Sequence, residues 1–282
     1  MSVGKGSGVR QLFDLGGKTA VVTGAAGYLG RVFTEALLEV GAHVVLMGRG
    51  EKLARAAEQL AARYGADSVT ASPVDFHHTE AYRRALETVV GRPGGVDVLV
   101  NNAFEFSKHT GFNDPSGRFE SLSKAQWMRA MESGVYWHAL ATQVVAESMA
   151  AKNSGSIINI SSMYGVVSPD PGLYRGTTIF NPPTYSATKA AVLSLTRYTA
   201  AFYGGRGVRC NALAPGPFPN VGGDSYNAPR NEEFLQRLSD RTLLKRYGRP
   251  QDLKGAVVFL ASEAGRYVTG QCLSVDGGWT VR

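Results

Sequence analysis

The chain has 282 residues, 44% hydrophobic and 19% charged, the make-up of an ordinary globular protein with a sizeable core. Its net charge of +7 permits attraction to anions, but the basic residues are scattered without a run. That sets nucleic acid aside in favour of an anionic cofactor or small-molecule substrate. No apolar stretch reaches the roughly 18–20 residues of a membrane span, so no membrane is expected.

Residues 1–14 open the chain; the first ten are rich in Gly, Ser and Lys and lack the apolar core of a signal peptide. They read as a flexible segment. Valine-rich runs then recur at 19–23, 42–47, 68–71, 96–100, 156–160, 208–213 and 272–275, with the look of buried strands. Between them lie helical patterns at 29–40, 51–64, 79–90, 124–150, 185–203 and 251–262. This alternation predicts an α/β fold, a doubly wound parallel sheet of about seven strands with helices on both faces. Nothing resembles a linker or a repeat, so 15–282 reads as a single domain. Cys210 and Cys272 each fall in a strand-like apolar stretch and read as reduced core residues of a cytoplasmic protein.

Two loops are too long to be plain connections, 163–184 and 215–230, the second leading into a short helix. Both leave the carboxyl ends of strands, where open α/β sheets bind ligands, and they read as walls and lid of a substrate pocket.

The first strand runs directly into Gly24-Ala25-Ala26-Gly27-Tyr28-Leu29-Gly30 and then a helix. Glycines in that context let the backbone turn tightly and approach a pyrophosphate seated on the helix N-terminus. At the end of the second strand an acidic residue would bind a ribose 2′-hydroxyl and repel a 2′-phosphate. This chain has Gly48-Arg49 instead, which favours NADP(H) over NAD(H), with Arg49 as the phosphate partner. Asp75, next to Phe76, is placed either to accept a hydrogen bond from an adenine amino group or to cap the following helix.

Further along, Tyr185 and Lys189 stand four apart on a predicted helix, hence on one face. An ammonium there can pull a phenol pKa down from about 10, a shift of about 3 units needing about 4 kcal/mol. A serine such as Ser162 can hold a carbonyl oxygen while the phenol protonates it. With twelve tyrosines in the chain the spacing alone is weak evidence, and its weight comes from its neighbours.

These elements, in this order, resemble the short-chain dehydrogenase/reductase family. The similarity covers residues 15–279 and rests on the glycine turn, Asn101-Asn102-Ala103, Ser162, Tyr185 with Lys189, Pro215-Gly216, Tyr267-Val268-Thr269-Gly270 and Val275-Asp276-Gly277-Gly278. The nearest branch by these features is that of the gluconate 5-dehydrogenase and 3-oxoacyl-carrier-protein ketoreductases. The resemblance implies a Rossmann-like fold and direct hydride transfer with a nicotinamide cofactor. It implies Tyr185 as general acid and base, Lys189 on the nicotinamide ribose, and Ser162 on the carbonyl. Gly24, Gly27, Tyr28, Leu29, Gly30, Asp75, Phe76, Asn102 and Ala103 would line the cofactor. Pro215, Gly216, Phe218 and Asn220 would border its nicotinamide end. Pairing through the two long helices implies a homotetramer or homodimer.

Three departures stand out. Where the family carries an asparagine in the long helix before the fifth strand, as part of a proton relay behind the lysine, this chain has Gly134. A glycine there costs about 1 kcal/mol relative to alanine, which points to a bend or close packing. The relay is then left to water, Ser133 or a backbone carbonyl. Tyr28 occupies the usual middle-glycine position, giving a G-x-x-G-x-x-G spacing seen in extended members that act on nucleotide sugars. Asn220 stands where a threonine often contacts the carboxamide; it keeps a donor and an acceptor.

Between Ser162 and Tyr185 lie 22 residues, longer than is usual in the family, including Asp170, Tyr174, Arg175, Thr177, Thr178 and Asn181. Such a roof suits a polar sugar-, cyclitol- or polyol-like ketone. Phe104, Glu105, His109, Met163, Tyr164, Tyr174, Arg175 and Phe218 are candidates for its walls, and no metal site is expected. The expected activity is an NADPH-dependent ketoreductase. The alternatives are a cofactor-retaining epimerase or dehydratase, and a catalytically silent nucleotide-binding regulator.

Overall fold

Residues 8–177, 180–221 and 232–281 are described in the structure, a computed structural model. Thr178 and the part of the second loop from 222 to 230 lie outside them. Seven strands, β1 (Thr19–Thr23), β2 (His43–Gly48), β3 (Val69–Pro73), β4 (Val98–Asn101), β5 (Gly155–Ile160), β6 (Val208–Pro215) and β7 (Cys272–Val275), form one sheet. Its order is β3-β2-β1-β4-β5-β6-β7, with every pairing parallel. The order reverses between β1 and β4, and at such a switch point the loops beyond the carboxyl ends part to leave a crevice.

Side chains alternate across each strand and build two cores. Ala20, Val22, Val44, Leu46, Val98, Val100, Ile158 and Ile160 face one side. There they meet α2 (Tyr28–Glu39), α3 (Gly50–Tyr64) and α9 (Lys254–Ala261) through Phe33, Leu37, Leu53, Leu60, Val257 and Leu260. Val21, Val45, Met47, Leu99 and Ile157 face the other side. Their partners come chiefly from α4 (Thr79–Val90) and α6 (Trp137–Ala151): Tyr82, Leu86, Leu140, Val145 and Met149. Each such side chain, fully buried, is worth about 1.5–3 kcal/mol of apolar transfer. Cys210 and Cys272 are both free, and burial pushes the Cys210 thiol up to about 12, so it behaves as an inert core residue.

Four details differ from the sequence expectation. Within the segment expected to be flexible, α1 (Val9–Leu12) forms a single helical turn, and Leu15 behind it is buried. The helix expected over 124–150 is divided into α5 (Lys124–Met131), a π turn at Glu132–Tyr136, and α6. A Ser123/Gln126 capping box fixes the start of α5. The helix α7 (Pro183–Tyr203) begins two residues early, because Pro183 suits the first helical position. The pattern at 251–262 opens as a 3₁₀ turn, Pro250–Leu253, before α9. The short helix after the second loop is α8 (Glu232–Arg241).

Leu99 lies wholly inside the second core. Leu99→Ala is expected to cost about 2–5 kcal/mol of unfolding free energy. Urea denaturation checks this, and a loss below about 1 kcal/mol would contradict the packing.

Candidate active site

The turn after β1 is held from behind. The Thr23 hydroxyl accepts from the backbone N–H groups of Asn102 (3.0 Å) and Ala103 (3.1 Å). The Asn102 side-chain amide donates to the Thr23 carbonyl at 3.0 Å and the Gly24 carbonyl at 3.2 Å. Asn102 therefore serves the turn with its side chain, and Ala103 packs beneath it. Gly24 has φ +65°, and a Cβ there would fall 3.1 Å from Ala103 Cα; one at Gly30 would fall 2.1 Å from the Gly24 carbonyl oxygen. Gly27 is the N-cap of α2 and offers no side chain to its first N–H groups. A cradle that a methyl group would fill, above an uncapped helix N-terminus, fits a pyrophosphate. Leu29 is partly buried on the first core, and Tyr28 donates from Oη to the Pro219 carbonyl at 3.0 Å.

At the end of β2, Arg49 precedes α3 and pairs with Asp75 at 3.0 Å. The side chains keep 64% and 33% exposure, so the pair is of the kind worth about 0–1 kcal/mol and does not hold Arg49 away from a phosphate. Burial works to raise the Asp75 carboxyl. The His77 N–H and Arg49 outweigh it and hold it below the usual range. Asp75 Oδ1 accepts from His77 N at 3.1 Å, so it closes the turn before α4, whose N-cap is His78. The Phe76 ring is turned into the core against Tyr82 and Trp137, leaving its backbone as the part able to meet a ligand.

Ser162, Tyr185 and Lys189 converge at the carboxyl end of β5 and the first turns of α7. Ser162 opens a 3₁₀ turn, Met163–Gly165, and its Oγ accepts from Tyr164 N at 3.2 Å. That turn lies directly on α7: Ser161 Oγ donates to the Lys189 carbonyl at 2.8 Å, and a Cβ at Gly165 would fall 2.7 Å from the same carbonyl. Lys189 is 3% exposed, and its ammonium donates to the Ile160 carbonyl at 2.8 Å. Burial pushes Lys189 down to about 7.

The phenol does not behave as the spacing alone implied. Burial pushes Tyr185 up to about 12; a hydrogen bond with Ser162 opposes this and the Tyr174 phenol adds to it. Phe104, Phe106 and Phe112 surround the ring, with centroids 5.3, 5.9 and 5.1 Å away. The Lys189 ammonium sits 5.7 Å from the ring centroid and is bound to Ile160, so desolvation governs the phenol.

Gly134 lies in the π turn, packed against Thr188: a Cβ would fall 2.7 Å from Thr188 Cβ and 3.0 Å from Phe104 Cε2. The glycine thus goes with both a helix distortion and a close contact. The expected neighbour Ser133 is wholly buried, and its hydroxyl donates back to the Ala130 carbonyl at 3.4 Å.

Over the site, Met163, Tyr164 and Tyr174 join Phe234, Leu238 and Trp279 in one cluster that includes Tyr185. The polar roof groups bond one another: Tyr164 with Tyr174 at 2.8 Å, Tyr174 with Asn181, and Asp170 with Arg241 at 2.6 Å. Arg175 and His109 are exposed, and Glu105 is tied to Arg129 at 2.7 Å and His77 at 3.1 Å. Pro215 ends β6, Asn220 is half-buried, and Gly216 touches Asp276 so closely that a Cβ would fall 2.5 Å from its Cα. Phe218 lies over Gly248 on the first core. Among the described residues no cluster could hold a metal ion.

Sequence reasoning missed Phe106, Phe112 and Arg241 near this site. Phe106 follows Phe104 by two residues, a spacing that puts both on one side of an extended chain. Phe112 and Arg241 carry no such signal.

Comparison with known proteins identifies the family. A family model described as enoyl-(acyl carrier protein) reductase matches residues 24–280. Gluconate 5-dehydrogenase of Gluconobacter oxydans is 34% identical over 272 residues, covering 96% of this chain and 97% of the relative. Galactitol 2-dehydrogenase (L-tagatose-forming) of Cereibacter sphaeroides is 34% identical over 280 residues, covering 96% and 98%. Among solved structures, a gluconate 5-dehydrogenase from Burkholderia cenocepacia in complex with NADP and tartrate superposes with a TM-score of 0.82. It is 29% identical, covering 98% of this chain and 100% of that one. The chain belongs to the short-chain dehydrogenase/reductase family, as an oxidoreductase acting on a CH–OH or C=O group.

Proposed function

We propose that the protein is an NADP(H)-dependent ketoreductase, reversible as a secondary-alcohol dehydrogenase, acting on polar ketones of sugar, cyclitol or polyol type. The observation that carries this reading is the convergence of Ser162, Tyr185 and Lys189 beside a glycine turn shaped for a pyrophosphate. When bound, NADPH supplies the hydride from its nicotinamide C4. Ser162 holds the substrate carbonyl oxygen, and Tyr185 Oη–H protonates that oxygen as the alcohol forms. With its pKa pushed up to about 12, the phenol carries its proton at neutral pH, as a proton donor must. Lys189, fixed by the Ile160 carbonyl, holds the nicotinamide ribose hydroxyls. Arg49, with no acidic residue at the end of β2, takes the 2′-phosphate.

The preference for a polyhydroxylated ketone is supported by the polar roof over an otherwise aromatic wall and by the sugar and polyol dehydrogenases among the relatives. We also infer a cytoplasmic homotetramer. Tyr198 and Phe202, 68% and 57% exposed, stack on the outer face of α7, which needs a cover.

Four measurements test these readings. Over a panel of keto-sugars, keto-polyols and a keto-steroid, NADPH absorbance is expected to fall with the polar ketones. Tyr185→Phe is expected to lower kcat about 10²- to 10⁴-fold with little change in NADPH affinity. No turnover with any ketone, or an unimpaired Tyr185→Phe, defeats the ketoreductase reading. Arg49→Ala is expected to cut kcat/KM for NADPH about tenfold, ~1.4 kcal/mol, and to leave NADH unaffected; an unchanged NADPH/NADH ratio removes Arg49 from the phosphate. Sedimentation of the purified protein is expected to give the tetramer mass, and a monomer at micromolar concentration overturns the assembly.

A further inference from the structure

Gly134, Tyr185 and Lys189 all meet one aromatic ring. Phe104 follows the end of β4 by three residues, and its Cε2 lies 3.0 Å from where a Cβ on Gly134 would fall. Its ring centroid is 5.3 Å from that of Tyr185, with the planes at 79°. The Lys189 ammonium stands over the same ring, 5.3 Å from the centroid. That is inside the roughly 6 Å within which a cation is attracted to an aromatic face. Phe106 and Phe112 brace the ring, with centroids 4.8 and 6.1 Å away, and the next residue, Glu105, is tied to Arg129 and His77. A side chain on residue 134 would press on the ring that now lies against the ammonium.

The ammonium has few other supports. Among the described residues it donates to the Ile160 carbonyl, and no carboxylate acts on it. Burial pushes Lys189 down to about 7, so near neutral pH its charged and uncharged forms are close to balance, and a group that favours the cation has leverage. Of the titratable groups on the elements packed here, Tyr185 is pushed up to about 12 and His138 of α6 down to about 3, so neither changes charge in that range. Burial also pushes Tyr164 up, and Cys210 of β6 up to about 12. Glu132 of the π turn is turned to Arg129 and His77.

We propose that Phe104 is a positioning residue for Lys189: its ring holds the ammonium in the charged form by a cation–π contact, in space that a glycine at residue 134 leaves open. The loop after β4 thus supplies the support that Gly134 cannot supply from the helix. The role is electrostatic; no bond is made or broken, and no proton passes through the ring. A phenylalanine that only filled volume would leave the charge on Lys189 unaffected, and that difference is measurable.

The inference rests on reading Lys189 as the cation of the site, yet its test needs no turnover. Lysine Cε resonances are titrated by NMR in wild type and Phe104→Leu, with Lys189 assigned through Lys189→Arg. A cation–π contact favours the charged form, so its removal lowers the pKa of Lys189. Phe104→Leu, which keeps an apolar side chain but no π face, is expected to lower the Lys189 midpoint by about one pH unit. A second series places mono-, di- and pentafluorinated phenylalanine at residue 104, which weakens the ring's negative face in steps while nearly keeping its shape. The midpoint is expected to fall step by step along that series. A midpoint unmoved or raised along it overturns the proposal, whatever the leucine variant does, and the series decides alone if that variant does not fold. Failure of every ketone to react would defeat the ketoreductase reading and leave the titration standing.

Discussion

Because Gly134 has no side chain, the π turn at Glu132–Tyr136 can press against Thr188, whose neighbour in α7 is Lys189. The contact fixes the height and rotation of α7 relative to α5 and α6. Tyr185 and Lys189 ride on that helix, four residues apart, and the Ser162 turn is bound to its backbone from the other side. The geometry of the three side chains follows from two close approaches, one at Gly134 and one at Gly165. Neither admits a methyl group without a shift, because backbone or a β-branched side chain stands in the way.

The sheet contributes rigidity of a different kind. Thr23, Asn101, Asn102 and Asn159 are polar residues at the carboxyl ends of β1, β4 and β5 or just beyond, and they bond backbone and one another. Asn101 Nδ2 meets Asn159 Oδ1 at 2.9 Å, and Asn159 Nδ2 meets the Thr196 hydroxyl of α7 at 2.9 Å. A buried network with its groups largely satisfied resists displacement, since moving one member leaves others unpaired. The glycine turn and α7 are thereby referenced to the same pair of strands. The roof is built otherwise, from aromatic contacts and a half-exposed Arg241–Asp170 pair, which are weaker restraints.

The sheet was largely legible, since valine-rich runs bounded by turns map onto strands with shifts of one or two residues. Thr19–Thr23 and Cys272–Val275 coincide with their runs. The family and the convergence of Ser162, Tyr185 and Lys189 were legible because local spacing and chain order carry them. What was not legible came from contacts distant in sequence. Gly134 announces a peculiarity, but only the packing of α7 shows that Thr188 fills the space. The spacing of Tyr185 and Lys189 says nothing of the three phenylalanines that set the phenol's environment. Asp75 has one hydrogen bond that is local and one to Arg49, 26 positions away, and only the local kind is visible in a string of residues.

Tyr28, which displaces the usual glycine, joins the turn after β1 to the loop after β6, elements separated by β4 and β5 in the sheet. Its hydroxyl is a clasp between the two lips of the groove proposed for the nucleotide. One neutral hydrogen bond has a net worth of about 0.5–1.5 kcal/mol, so such a clasp retards opening about 2- to 12-fold. That is too little to imprison a nucleotide and enough to lengthen its residence. Under the proposed function, the loop this bond ties down is also the one assigned to the substrate pocket, so the two ligands would share a door.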